Sequence, residues 1–258
     1  MSKLIAISAG HGPNTPGKRT PPIPSLGGRV IKEFEFNNPV AKMLEKELKR
    51  CGFRTLMVYD EYRDTPLSVR TNRANNAKAD AYISIHFNAY DGVFNNYDPD
   101  GHSLHVYPGA RDSRKLAECI LKHLKGGTPQ RNRGIVEQNL HETRETRMTA
   151  VLSENGFMDN KREAKLMSDK DFQKEVAVEH AKGICDYYGV KYIPEPEPVK
   201  KEVQKAVAKE PTQWEIELAE AIKFVQDNKI SDGLRPEDQL TRGQMFVILH
   251  RLSKEGRL

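Results

Sequence analysis

Ala81-Tyr82-Ile83-Ser84-Ile85-His86-Phe87-Asn88-Ala89 is the stretch that decides the fold. Its first five residues form a short apolar run of strand length, and the run passes directly into polar residues. Two other segments repeat the pattern. Upstream, Leu4-Ile5-Ala6-Ile7 leads into Ser8-Ala9-Gly10-His11-Gly12; downstream, Ala150-Val151-Leu152 leads into Ser153-Glu154-Asn155-Gly156-Phe157. Helical signals separate them. Asn38-Pro39 opens a helix in which Val40, Leu44 and Leu48 recur every four residues, and Cys51-Gly52 ends it. Phe53 to Tyr59 reads as a strand, and Thr65-Pro66 caps a second helix to about Lys78. Ser103 to Tyr107 reads as another strand. Leu116, Ala117, Ile120, Leu121 and Leu124 share one face of a helix, and Phe172, Val176, Ala181, Ile184 and Tyr188 mark a long closing helix. Strands alternating with helices of this length predict an α/β fold: a largely parallel central sheet flanked by helices.

The chain has 258 residues, of which 37% are hydrophobic and 30% charged. That mix excludes a disordered polyampholyte and a membrane-spanning protein, and no stretch nears the ~18 apolar residues of a spanning helix. Leu4 to Ala9 is too short for a secretory core and meets Gly10-His11-Gly12 in place of a cleavage site, so synthesis in the cytoplasm without a signal peptide is expected. Cys51, Cys119 and Cys185 are odd in number and form no CxxC, which points to reduced thiols. Composition breaks at Tyr192-Ile193-Pro194-Glu195-Pro196-Glu197-Pro198, where alternating Pro and Glu suit an extended spacer. The expected organisation is a larger α/β domain over 1–190, a Pro/Glu/Lys-rich linker over 191–210 and a small helical domain over 211–258. Residues 1–190 hold 29 basic and 24 acidic residues, against 12 of each beyond, so the net +5 sits wholly on the first domain. A modest positive field suits an anionic polymer, while basic-aromatic patches of the nucleic-acid-binding kind are absent.

Open α/β sheets bind ligands outside the carboxyl ends of their strands. His11, His86 and Glu154 all fall there, and Glu33 precedes the first helix with Glu35 as its rival two residues away. Two imidazoles and a carboxylate with one open position form a catalytic zinc set, which leaves the other carboxylate for proton transfer. A histidine after a strand is also commonly a packed structural residue, and spacing alone does not separate the readings. His102, His105, His123, His141, His180 and His250 read as solvated or packed.

The order of motifs resembles the zinc-dependent N-acetylmuramoyl-L-alanine amidases, a family of cell-wall hydrolases and phage endolysins. The matching stretches are Ala9-Gly10-His11-Gly12, Glu33 ahead of Ala41 and Leu44, Leu67-Ser68-Val69-Arg70 with Ala74-Asn75, and Ala79 through Ala89. They continue with Tyr107, Leu116-Ala117 and Val151 through Asn160. The resemblance covers about residues 1–190 and implies zinc on His11, Glu33 and His86, with Glu154 catalytic. Glu33 aligns at the helix offset where Glu35 does not. The implied reaction is hydrolysis, by zinc-activated water, of the amide joining N-acetylmuramic acid to L-alanine in peptidoglycan. Arg70 and Asn88 are candidate substrate contacts, with bracing of the site the alternative for Arg70 and for Arg73. Two departures stand out: Ser8-Ala9 replaces the usual acidic-Pro pair before Gly10, and Gly101-His102-Ser103 lacks a common Glu.

In the last segment, Thr212 with Glu215 and Thr241 with Gln244 form capping boxes for two amphipathic helices. Ile230 through Pro236 and Leu240 through Met245 resemble an S-layer homology repeat, which implies binding to a secondary cell-wall polymer. So short a segment has a marginal core, which also suits self-association. The expectation is a peptidoglycan amidase acting at the wall, most simply a phage endolysin. The rivals are a zinc peptidase cutting the stem peptide and a non-catalytic wall-anchoring protein.

Overall fold

The computed structural model describes residues 2–196 and Gln213. The chain divides into two compact units, Met1–Pro196 and Glu197–Leu258. The helices and capping boxes expected over 211–258, His250 and most of the 191–210 linker therefore lie outside the described residues.

Six strands make one sheet: β1 (Leu4–Ala9), β2 (Arg54–Met57), β3 (Ala81–Asn88), β4 (His102–Val106), β5 (Asn132–Glu137) and β6 (Thr149–Phe157), in the order β2-β1-β3-β6-β4-β5. The run β2-β1-β3-β6 is parallel, β4 is antiparallel to β6, and β5 is parallel to β4. Helices α1 (Phe34–Arg50), α2 (Leu67–Asn76), α3 (Arg111–Gly127) and α6 (Lys170–Tyr188) are the long ones; α4 (His141–Arg144) and α5 (Glu163–Leu166) are single turns.

The strands alternate side chains between the two faces, and this positions the site. On one face Ile5, Ile7 and Ala9 of β1 and Ile83, Ile85 and Phe87 of β3 pack beneath α1, α3 and α6 in the main core. Phe36 of α1 is fully buried between Phe87 and Phe172, with ring centroids 4.9 and 5.8 Å away; truncating such a side chain costs about 3–5 kcal/mol. The opposite face has a small apolar patch of Ala6, Tyr82 and Ala150 beneath Ala74 of α2. Toward the carboxyl ends that face turns polar, carrying Ser8, Ser84, His86 and Glu154.

Two elements differ from expectation. Helix α1 starts at Phe34, before Asn38-Pro39, so Pro39 lies inside it. Proline supplies no N–H to the carbonyl four residues back, here that of Glu35, and the Gln173 side chain of α6 donates to this oxygen instead at 3.3 Å. Strand β5 was not foreseen. The expected spacer also begins late: Tyr192 Oη donates to Glu47, Ile193 N–H donates to Cys51 Sγ, and Arg50 Nε donates to Ile193 O at 2.8 Å. Tyr192 and Ile193 thus pack on the end of α1.

Candidate metal centre and catalytic carboxylate

Pairing of β3 with β6 sets His86 directly beside Glu154, and β1 ends on the other side of β3, with Ala9 opposite Ile85. Gly10 then turns the chain under the His86 ring. A Cβ on Gly10 would lie 2.2 Å from His86 Cε1, so only glycine fits. His11 follows in the left-handed region at φ 63°, an uncommon conformation for a residue with a side chain. Arg70 of α2 holds this turn: its guanidinium donates to the carbonyls of Ala9 and His11, to Thr65 O at 2.8 Å and to Ser8 Oγ at 2.9 Å.

Glu33 enters at the foot of α1, where the helix N-terminus favours a carboxylate. Its Oε1 accepts from Phe87 N–H and Asn37 Nδ2, each at 3.0 Å, and lies 3.2 Å from His86 Nδ1. Its Oε2 lies 3.1 Å from His11 Nε2. The two imidazoles stand edge to face with centroids 5.1 Å apart. One ligand atom from each of His11, Glu33 and His86 lies within 4.8 Å of the others, and among the described residues this is the one such group. Glu35 turns away, accepting from Arg29 Nη2 at 2.7 Å and Lys32 N–H at 2.9 Å, so the geometry selects Glu33.

The electrostatics are those of a site built for positive charge. Burial opposes ionisation of Glu33, but hydrogen bonds from His11 and His86 outweigh it and hold the carboxyl well below the usual range. Burial likewise opposes protonation of His86, yet hydrogen bonds to Glu142 and Glu33 push it up to about 10. Glu154 shifts the other way, raised to about 8 by burial and by the neighbouring Glu33, against the pull of His86. One of its carboxylate oxygens is buried without a hydrogen-bond partner. Two nitrogens and one oxygen converging beside an unsatisfied carboxylate fit a borderline cation such as zinc.

The remaining candidates fall elsewhere. Arg70 is fully buried and braces the His11 turn, the second of the two roles expected for it. Arg73 likewise binds Val58 O at 3.0 Å. Asn88 sits half-buried at the end of β3 with its Oδ1 accepting from Ala89 N–H. His105 contacts Ser103 and Gln138, His102 contacts Thr128, His123 contacts Asp186 and His180 contacts Val176 O. The loop after Ala89 is pinned by Asp159, whose Oδ2 accepts from the N–H groups of Tyr90, Asp91 and Gly92. One residue escaped sequence reasoning: Glu142, on the four-residue α4, stands 3.2 Å from His86 Nε2. A single helical turn carries no periodicity, and no sequence signal marks it.

The sequence profile of the N-acetylmuramoyl-L-alanine amidases matches residues 5–186. The endolysin of Bacillus phage SPP1 is 32% identical over 194 residues, covering 74% of this chain and 68% of the relative. The N-acetylmuramoyl-L-alanine amidase CwlM of Bacillus licheniformis is 30% identical, covering 70% and 67%. Among solved structures, the catalytic domain of the amidase CwlV from Bacillus (Paenibacillus) polymyxa var. colistinus superposes with TM-score 0.64 at 31% identity. That match covers 73% of this chain and 99% of CwlV's. An amidase from Clostridium difficile 630 gives TM-score 0.65 at 27% identity, covering 73% and 97%. With profile and fold agreeing along nearly the whole first unit, the chain belongs to the N-acetylmuramoyl-L-alanine amidase family.

Proposed function

We propose that the first unit hydrolyses the amide between the lactyl group of N-acetylmuramic acid and the L-alanine of the stem peptide, with zinc held by His11, Glu33 and His86. The observation that carries this reading is the convergence of those three side chains, from β1, the start of α1 and β3, beside the unsatisfied carboxylate of Glu154. A bound zinc ion supplies Lewis acidity, which acidifies water and polarises a carbonyl. Glu154 is the group left to move the proton. It accepts one from the attacking water and hands it to the departing alanine nitrogen, and burial raises its proton affinity enough for it to hold the proton between the two events. Glu33, fixed by Asn37 and the Phe87 N–H, keeps the two imidazoles at a set separation. Asn88, at the rim, contacts the substrate.

Support for an endolysin role comes from the similarity to the phage SPP1 protein. The resemblance of residues 230–245 to an S-layer homology repeat supports wall-polymer binding by the second unit. The decisive experiment digests purified cell wall and identifies products by mass spectrometry, before and after chelation and zinc return. Intact stem peptides with free L-alanine amino groups, produced only with metal, are expected. Cuts inside the stem peptide, or activity indifferent to chelator, would overturn the reading.

A further inference from the structure

His86 presents two nitrogens to two different carboxylates. Nδ1 faces the space shared with Glu33 and His11, 3.2 Å from Glu33 Oε1. Nε2 points the other way and lies 3.2 Å from Glu142 Oε2. A neutral imidazole that offers its Nδ1 lone pair to a cation must carry its hydrogen on Nε2, where Glu142 accepts it. Glu142 is itself held in place: Tyr82 Oη donates to it at 2.6 Å, Ser8 Oγ at 2.7 Å and Ser84 Oγ at 3.1 Å. Ser8 in turn accepts from the buried Arg70. The carboxylate is thus fully buried and saturated with donors, and its remaining partner is the ring nitrogen facing away from the metal space.

We propose that Glu142 is a positioning residue of the metal centre, fixing the tautomer and ring orientation of His86 so that Nδ1 is the ligand atom. The proposal rests on the reading of His11, Glu33 and His86 as a metal site. Outer carboxylates of this kind orient a ligating imidazole and increase its basicity, and their loss typically weakens metal binding about 10–100-fold. Glutamine at 142 keeps the shape but has one acceptor oxygen for four donors, so it cannot serve His86 and the hydroxyl groups together.

The test measures zinc affinity of the full chain by competition with a chromophoric chelator. The unaltered protein is compared with Glu142→Gln and with Glu163→Gln, a matched control. Glu163 is also a buried carboxylate with several donors, but it staples Gly101 and Phe157 and does not touch His86. The expected result is a dissociation constant raised about 10–100-fold in Glu142→Gln and unchanged in Glu163→Gln. Independently of any variant, ring proton–nitrogen correlation spectra of the zinc-loaded protein should show His86 protonated on Nε2. Unchanged affinity in Glu142→Gln, equal weakening in Glu163→Gln, or a His86 protonated on Nδ1 would each overturn the proposal and leave the metal site standing. Failure of the unaltered protein to bind zinc would overturn both.

Discussion

Gly10 shows how little tolerance the centre has. A methyl group there would occupy the place of the His86 ring, whose nearest atom lies at 2.2 Å, so Gly10→Ala should displace the imidazole. The expected outcome is a loss of zinc affinity of about 10-fold or more, accompanied by a fall in amidase activity; calorimetric titration checks the first and turbidity clearing the second. Glu154→Gln should separate the two properties. Because the carboxylate is not one of the three proposed ligand groups, zinc content should stay near that of the unaltered protein while turnover falls about 10²–10⁴-fold. His86→Ala should lose both, as metal analysis of the purified variants would show. At this scale the placement of His11, His86 and Glu154 at strand ends was legible, because each follows an apolar run. The choice of Glu33 over Glu35 was not legible from spacing; it depends on which carboxylate the α1 start turns inward. Of the two roles weighed for Arg70, the structure shows the bracing one: its guanidinium is enclosed by backbone carbonyls from another segment, which nothing in a helix sequence reveals.

Single elements explain the other successes and failures. β1, β3 and β6 were visible as continuous apolar runs because a parallel central strand is covered on both faces. β5, Asn-Arg-Gly-Ile-Val-Glu, lies at the sheet edge with every residue at least partly exposed. It has two apolar residues and a Gly134 at φ 85°, so neither alternation nor apolar run survives. Pro39 misled in the opposite direction: read as a helix opener, it sits in the second turn because Gln173 serves the carbonyl that the proline leaves unpaired. The loop after β3 depends on one side chain. Asp159 is fully buried and gathers three successive N–H groups, an arrangement that holds the first residues of the loop against the sheet. Asp159→Ala should cost about 2–4 kcal/mol. It should also speed amide hydrogen exchange at Tyr90, Asp91 and Gly92 more than elsewhere in the sheet. Uniform exchange across the loop and the sheet would contradict the pinning role.

At the proposed metal site, protons and a cation compete for the same nitrogen. His86, raised to about 10 without metal, must lose a proton to offer Nδ1 to a cation. Zinc affinity should therefore climb roughly tenfold per pH unit between pH 6 and 8, with about one proton released per ion; calorimetry in buffers of different ionisation enthalpy measures that number. A second pH effect arises on α6. Burial holds His180 at about 4, below its ordinary 6.5, with only Val176 O as a hydrogen-bond partner for one ring nitrogen. A lowered histidine pKa means that the unfolded chain takes up the proton first, so stability present above pH 6.5 is lost as pH falls toward 4. Thermal melts should show His180→Gln losing about 2 kcal/mol less than the unaltered protein between pH 7 and pH 5.

The docking of Tyr192 and Ile193 bears on anyone who would graft this hydrolase onto a different targeting module. A fusion junction placed after Val190, the domain end expected from the sequence, would cut away the hydroxyl of Tyr192 that caps Glu47 and the backbone that engages Arg50 and Cys51. It would also leave bare the apolar surface that Tyr192 covers. A junction after Pro196 keeps that clasp closed, so the transplantable cassette runs six residues past the boundary expected at 190.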